Sequence, residues 1–305
     1  MYAIAIHGGA GVINRESLLP EEEKLYLEGL NEALNAGFQM LEKGIDALDA
    51  VEAAVMSLED NQLFNAGKGS VFNSEGIHEM EASIMWGKTI DAGSVCALRN
   101  IKNPIHLARL TMEKSPHLFL NGIGAEYFAR ENSVPFEDDS YFFTTKRYDH
   151  LLEAKKNSRV QLDHFAEKNF GTVGAVAIDK DGNLAAATST GGLTNKTYGR
   201  IGDSPVIGSG TYANNNSCAI SCTGDGEFFI RTVAAYDISC LVEYKNMSIQ
   251  DACNHVIFEK LTKLGGEGGA IAIDKLGNVA VSFNSEGMYR AFKQENQPTV
   301  LGIYK

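Results

Sequence analysis

The chain has 305 residues, 44% of them hydrophobic and 22% charged, with a formal net charge of −12. That balance suits a folded globular protein and argues against disorder; the acidic excess opposes nucleic-acid binding, which needs clustered Lys and Arg against phosphate. No apolar run is long enough to span a bilayer, so a membrane partner is not expected and a small, zwitterionic substrate fits better.

The length exceeds the usual single-domain mode, yet layered folds reach it as one domain, here taken as 1–305. The first residues, Met1 to Gly9, carry no basic n-region and too short an apolar run for a signal peptide, and are read as a strand of a cytoplasmic protein. Five cysteines (Cys96, Cys218, Cys222, Cys240, Cys253) form no CxxC pair, which points to buried thiols rather than disulfides or zinc.

His7-Gly8-Gly9-Ala10-Gly11 then reads as a turn that either binds an oxyanion or only changes direction. Leu25, Leu27, Leu30, Ala33, Leu34, Phe38 and Leu41 recur at helical spacing between Glu21 and Lys43. Gly44 stops that helix, and Asp46 caps a second one over Ala47 to Leu58. From Leu58 to Gly69, apolar residues alternate with polar ones and glycines, as in a loop that packs back onto the body and has its carbonyls satisfied, for example by a cation.

Strands are predicted over Ile77–Trp86 and Ser94–Leu98, and Asn103-Pro104 opens a helix in the preferred cap and N1 order. Further helices fit 124–131 and 145–156, and 155–171 loses periodicity and reads as a flexible linker. It ends at Gly171-Thr172, the start of a buried β-hairpin whose turn is Asp179-Lys180-Asp181-Gly182-Asn183 and whose return strand is Leu184 to Thr190. Residues 174–183 are echoed by 269–278, which implies two such hairpins and at least four mainly antiparallel strands. Between them a helix is expected over 226–244, and Ser248 to Asp251 resembles a capping box before 252–264. Strands flank helices without strict βαβ alternation, which favours a layered sandwich over a doubly wound sheet.

Two familiar chemistries fail on their motifs. Gly202-Asp203-Ser204-Pro205-Val206 lacks the last glycine of a nucleophile elbow, and His78-Glu79-Met80-Glu81 has no second histidine at i+4 for zinc. What remains is a threonine at the head of the hairpin, hydroxyls at its far edge (Thr188-Ser189-Thr190), and the segments Gly199 to Ser204 and Ser221 to Glu227. With His7 to Gly11, Leu63 to Gly69 and Asn284 to Arg290, these motifs resemble, in order and over nearly the whole chain, the plant-type asparaginase and isoaspartyl peptidase family of N-terminal nucleophile hydrolases.

The resemblance implies an α+β fold, a four-layer αββα sandwich. It implies a precursor that cuts itself between Gly171 and Thr172, leaving residues 1–171 and 172–305 as two subunits that assemble as a homodimer of cleaved protomers, (αβ)2. The freed α-amine of Thr172, with a reference pKa of about 7.7 to 8.0, would serve as the base for its own hydroxyl. By the same resemblance, Thr190 and Asn65 would position the nucleophile, and Thr223 with the Gly224 amide would hold the oxyanion. Arg200 would clamp a substrate α-carboxylate and Asp203 its α-ammonium, with Ile201, Gly202, Asp225 and Gly226 completing the binding segments. Gly171 is expected to tolerate a strained backbone at the scissile carbonyl. No cofactor is implied for catalysis; a structural sodium ion would sit on the backbone carbonyls of Leu58, Glu59, Asn61, Phe64, Ala66 and Lys68. The implied activity is hydrolysis of β-aspartyl (isoaspartyl) dipeptides and L-asparagine to L-aspartate. A glycosylasparaginase-like amidase is the runner-up, disfavoured by the absence of a signal sequence and of paired cysteines. A non-catalytic aspartate-binding protein would carry the same head-group clamp.

Overall fold

The computed structural model describes residues 1–13, 15–16, 18–156 and 171–305. Strand β1 (Ala3–Gly11) absorbs the whole His-Gly-Gly segment, so the expected turn is a strand with a register shift between His7 and Gly9. The glycines are what make this possible: Gly9 has φ +109°, and a side chain at Gly8 would collide with the Phe64 ring.

Helices α1 (Pro20–Glu42) and α2 (Ala47–Glu59) form as their periodicity predicts, with Asp46 capping α2 through Asp49 N at 2.9 Å. Strands β2 (Met80–Trp86) and β3 (Asp91–Leu98) follow, then α3 (Pro104–Lys114), β4 (Phe119–Asn121), α4 (Gly122–Glu131), α5 (Asp139–Phe142) and α6 (Thr145–Lys156). The expected linker 155–171 is therefore helical at Lys155 and Lys156, while 157–170 lie outside the described residues.

The predicted hairpin is β5 (Thr172–Ile178) and β6 (Leu184–Thr190), followed by β7 (Thr211–Ala213) and β8 (Cys218–Gly224). The single helix expected over 226–244 is two, α7 (Gly226–Thr232) and α8 (Ala234–Lys245), because Val233 adopts a left-handed φ of +50° between them. Ser248 caps α9 (Ile249–Asn254), which runs through a π-helical stretch, His255–Leu261, into α10 (Thr262–Leu264). Strands β9 (Gly268–Asp274), β10 (Val279–Phe283), β11 (Gly287–Gln294) and β12 (Val300–Tyr304) complete the chain.

The strands form an eight-stranded sheet, ordered β12-β11-β1-β5-β6-β2-β3-β4, and a four-stranded sheet, β10-β9-β8-β7. Strand alternation explains the layering. In β5, Val173, Ala175 and Ala177 join the core under α1 and α2, whereas Val176 and Ile178 face the second sheet. In β8, Cys218, Ile220 and Cys222 pack with α8 and α9, whereas Ala219 faces back toward β5. The result is helices, sheet, sheet and helices, the αββα sandwich. Every cysteine is a free thiol; all but the half-buried Cys240 are buried.

The space between the sheets is graded. Toward the two Asp turns it is filled by Val176, Ile178, Leu184, Ile271 and Ile273. At the other end the same alternating positions carry His7, Ser83, Thr172, Thr188, Thr190, Ser221 and Thr223, all buried. The echoed hairpins lie in different sheets and share one device: Asp179 Oδ1 accepts from Asp181 N (3.0 Å) and Asn183 N (2.9 Å), and Asp274 Oδ1 accepts from Leu276 N and Asn278 N, both at 2.9 Å. Asp179 also accepts from Ala47 N through Oδ2 at 3.2 Å, tying the hairpin to the start of α2. Asp179→Ala strips these amides of their acceptor, and urea unfolding should show a loss of about 2–3 kcal/mol.

Candidate active site

Antiparallel pairing sets Thr172 directly opposite Thr190 at the open end of the β5–β6 hairpin. Their hydroxyls are 3.3 Å apart, and the Thr190 hydroxyl reaches the Gly171 carbonyl at 3.4 Å. Gly192 N donates to Thr190 Oγ1 at 3.0 Å, which leaves that hydroxyl's proton for the carbonyl. Nucleophile candidate, neighbouring hydroxyl and the Gly171 carbonyl thus meet in one cluster.

A close approach requires a glycine at 171: a Cβ there would stand 2.6 Å from Cβ of Asn65. Asn65 lies against Gly171 and holds the return loop, with Nδ2 donating to Gly192 O (2.8 Å) and Oδ1 accepting from Val71 N (2.9 Å). It braces the cluster without bonding to Thr172.

The cavity beside Thr172 is lined by Thr190, Arg200, Gly202, Asp203 and Gly224 among the expected residues, and also by Glu81 and Ser204. Asp203 is buried, with Oδ2 lacking a hydrogen-bond partner, and burial pushes its carboxyl up to about 7 against the opposing pull of Arg200. An unpaired carboxylate oxygen on a residue that lines the cavity is suited to an incoming cation.

Arg200 differs from an empty clamp: Nε and Nη2 meet Glu227 Oε1 and Oε2 at 2.9 and 3.0 Å. The bidentate pair gives this largely buried guanidinium a hydrogen-bonded anion, with the Glu81 and Asp203 carboxylates adding to the negative field around it. Gly226 and Gly202 are required by the same crowding, since a Cβ at Gly226 would lie 2.8 Å from Asp203 Oδ1 and one at Gly202 3.0 Å from Arg200 Nη1.

Thr223 is fully buried, and its Oγ1 accepts from Ala10 N at 3.3 Å, so its proton is free to point elsewhere. Gly224 takes φ +146°, where a side chain would strike the Glu267 carbonyl. Asp225 is bound to that same residue, with Oδ2 accepting from Glu267 N at 3.2 Å, and Ile201 is 40% exposed and does not line the cavity. Asp225 does not line the cavity either, and nor do Asn65, Thr223 and Gly226.

Sequence reading missed Glu81 and Lys196. Glu81 is buried opposite Thr190 in the β2–β6 register, and both its oxygens accept from Gly202 N, at 3.0 and 3.2 Å. Lys196 is buried, donates to Glu79 O at 2.7 Å, and is held below the usual lysine range by burial. A carboxylate inside the apolar alternation Met80-Glu81-Ala82 was the available signal.

The expected cation loop begins later than read, because Leu58 and Glu59 end α2. Phe64 O accepts from Ala66 N (3.0 Å) and Ala66 O from Gly69 N (3.1 Å), which leaves each a second lone pair, whereas the Leu58 carbonyl accepts from both Asn61 N (3.2 Å) and Asp60 N. The Glu59 carbonyl lies 2.5 Å from where a Gly67 Cβ would stand, a cradle that only glycine permits at the negative end of a helix. Lys68 sets its ammonium over the Tyr141 ring, 5.2 Å from the centroid, and Arg147 already takes the Leu63 and Gly69 carbonyls. The donors are backbone carbonyl oxygens, the chemistry that the expected sodium ion would call for.

The family model described as asparaginase matches residues 1–303. The chain is 52% identical to the isoaspartyl peptidase of Salmonella typhimurium, covering 99% of this chain and 98% of that protein, and 50% identical to the isoaspartyl peptidase of Escherichia coli, covering 99% and 96%. Identity to the isoaspartyl peptidase/L-asparaginase of Xenopus laevis is 43%, over 99% of this chain and 94% of that one. A match along both full lengths, joined to the hydroxyl cluster at the hairpin head, places this chain in the asparaginase family of N-terminal nucleophile hydrolases.

Proposed function

We propose that the chain is a self-processing threonine amidohydrolase that cuts itself before Thr172 and then hydrolyses β-aspartyl dipeptides and L-asparagine, releasing L-aspartate. The observation that carries this reading is the cluster of Thr172 Oγ1, Thr190 Oγ1 and the Gly171 carbonyl within 3.3–3.4 Å contacts. In self-cleavage, Thr172 Oγ1 attacks the Gly171 carbonyl carbon while Thr190 donates to its oxygen. The C–N bond breaks, the nitrogen gains the hydroxyl proton, and water hydrolyses the resulting ester. The freed amine of Thr172 can then accept the proton of its own hydroxyl.

In turnover the hydroxyl attacks the substrate's side-chain carbonyl. Thr223 and the Gly224 amide would receive the oxyanion, donors of a kind worth about 2.7–4 kcal/mol each. The leaving amine takes the proton, and water releases L-aspartate from the ester. Asp203 receives the α-ammonium on its orphaned oxygen, and Arg200 receives the α-carboxylate either beside Glu227 or in its place. Gly202 and Gly226 keep the approach open.

Sodium on the 58–68 carbonyls, an (αβ)2 dimer of cleaved protomers, and a cytoplasmic location complete the proposal. The free thiols fit a reducing compartment.

Intact mass after incubation should resolve two species joining at Gly171 and Thr172, and Thr172→Ala should remain one inactive species. An uncut wild type that binds L-aspartate without hydrolysing β-aspartyl dipeptides would establish a binding protein instead. Release of sugar from Asn-linked glycans would indicate the glycosylasparaginase activity.

Asp203, with its carboxyl near pH 7, must be ionised to bind an ammonium, whereas the Thr172 amine must be neutral to act. The acid limb of kcat/KM should therefore fall more steeply than that of kcat as pH drops below 7, and Asp203→Asn should remove the difference. Equal slopes in the wild type would rule out this role for Asp203. Replacing sodium by choline at constant ionic strength should lower Tm, and no change would remove the cation from the account.

A further inference from the structure

His7 sits opposite Gly174 in the β1–β5 register, at the start of the β1 bulge, and is completely buried between the sheets. Its Nδ1 is 3.0 Å from the Thr172 carbonyl oxygen, which can only accept. The ring is therefore assigned the tautomer with its proton on Nδ1, and Nε2 is left as an acceptor. Burial holds the ring neutral, lowering its pKa to about 3.

Ser221 Oγ lies 2.9 Å from Nε2 and must donate to it. That spends the only Ser221 proton, so Thr188 donates across the 2.7 Å contact to Ser221, and Thr211 in turn donates to Thr188 at 2.6 Å. Ser83 Oγ closes the chain 2.8 Å from Thr211 Oγ1, with the Ser204 carbonyl a nearer acceptor for its one proton at 2.6 Å. Three hydroxyls, Thr211, Thr188 and Ser221, drawn from both sheets, thus point one way, toward the imidazole. Gly174 leaves the corridor open: a Cβ there would meet His7 Nε2 at 2.5 Å and overlap Ser221 Oγ. Glycine inside a strand is unfavourable without such a reason.

We propose that His7 is a positioning residue for Thr172, fixing its main chain by donating from Nδ1 to the Thr172 carbonyl, with the ring locked in tautomer and orientation by the directed chain Thr211, Thr188, Ser221. This rests on Thr172 as the nucleophile. After a cut before Thr172 the residue loses its covalent anchor on the N-terminal side, and the His7 bond is then the side-chain contact that holds its carbonyl. Misplacing a nucleophile by as little as an ångström is enough to slow its reaction by about 10²-fold.

The test compares His7→Leu, His7→Asn, Ser221→Ala and Thr172→Ala with the wild type, following self-cleavage by intact mass and kcat and KM with a β-aspartyl dipeptide. Asparagine can return an N–H near the Nδ1 position but cannot reach Ser221. His7→Leu should cut itself and turn over at least about tenfold more slowly, with KM within about threefold, and His7→Asn should recover most of the loss. Ser221→Ala should lower kcat about three- to tenfold at unchanged KM.

Wild-type rates in His7→Leu, or an Asn variant no better than the Leu variant, overturn the proposal. If His7→Leu does not fold, Ser221→Ala decides: an unchanged kcat there overturns the locking chain. A Thr172→Ala protein that still hydrolyses the dipeptide would instead overturn the nucleophile assignment itself.

Discussion

The pairing of Thr172 with Thr190 is the constraint on which the rest of the site depends. Two neighbouring antiparallel strands put these side chains on the same face, toward the second sheet, and the hairpin turn fixes the register that makes them partners. A slip of either strand by one residue would send its hydroxyl into the aliphatic core under α1 and α2 and part it from its partner. The turn is held by Asp179, so a carboxylate at the closed end determines which atoms meet at the open end.

The graded layer between the sheets follows from the same alternation. Near the turns it is aliphatic and holds the sheets together by burying Val and Ile side chains, each worth about 1.5–3 kcal/mol. Toward Thr172 those positions are hydroxyls, an imidazole and carboxylates, which need partners once buried. Most find them in one another. Asp203 Oδ2 and Ser204 Oγ do not, and they lie where the cavity opens. Of the five buried side-chain atoms without a partner among the described residues, these two belong to residues that line the cavity where a charged head group would dock.

Most of the elements were legible because their signals are local: the helical spacing of Leu30, Leu34, Phe38 and Leu41, the Asp46 cap, and the Asx turns at Asp179 and Asp274. Where reading failed, the deciding force was tertiary. His7 to Gly11 looks like a turn in isolation, yet β5 and β11 hold it extended on both sides. The helix after Gly226 has continuous helical periodicity, and nothing local announces the left-handed Val233 that divides it. Glu227 reads as a helix residue until Arg200 is seen to hold it. For the site, the family resemblance supplied candidate roles that spacing alone could not, because Asn65, Thr172, Arg200 and Thr223 come from distant parts of the chain. The reason for Gly171, a close approach to Asn65, could not be read before the two segments were seen together.

The strand order bears on what a cut before Thr172 would do to the molecule. Reading across the large sheet, β12 and β11 come from the later segment, β1 from the earlier, β5 and β6 from the later, and β2, β3 and β4 from the earlier. The two pieces would be interleaved rather than docked side by side, with β1 zipped between β11 and β5. The bond lies just ahead of the first paired residue of β5, so breaking it severs no ladder. Such a heterodimer cannot dissociate without melting its sheet. It would persist as one kinetic unit, yet refolding from denaturant would become a second-order encounter between two chains, slowing on dilution in a way the uncut polypeptide would not.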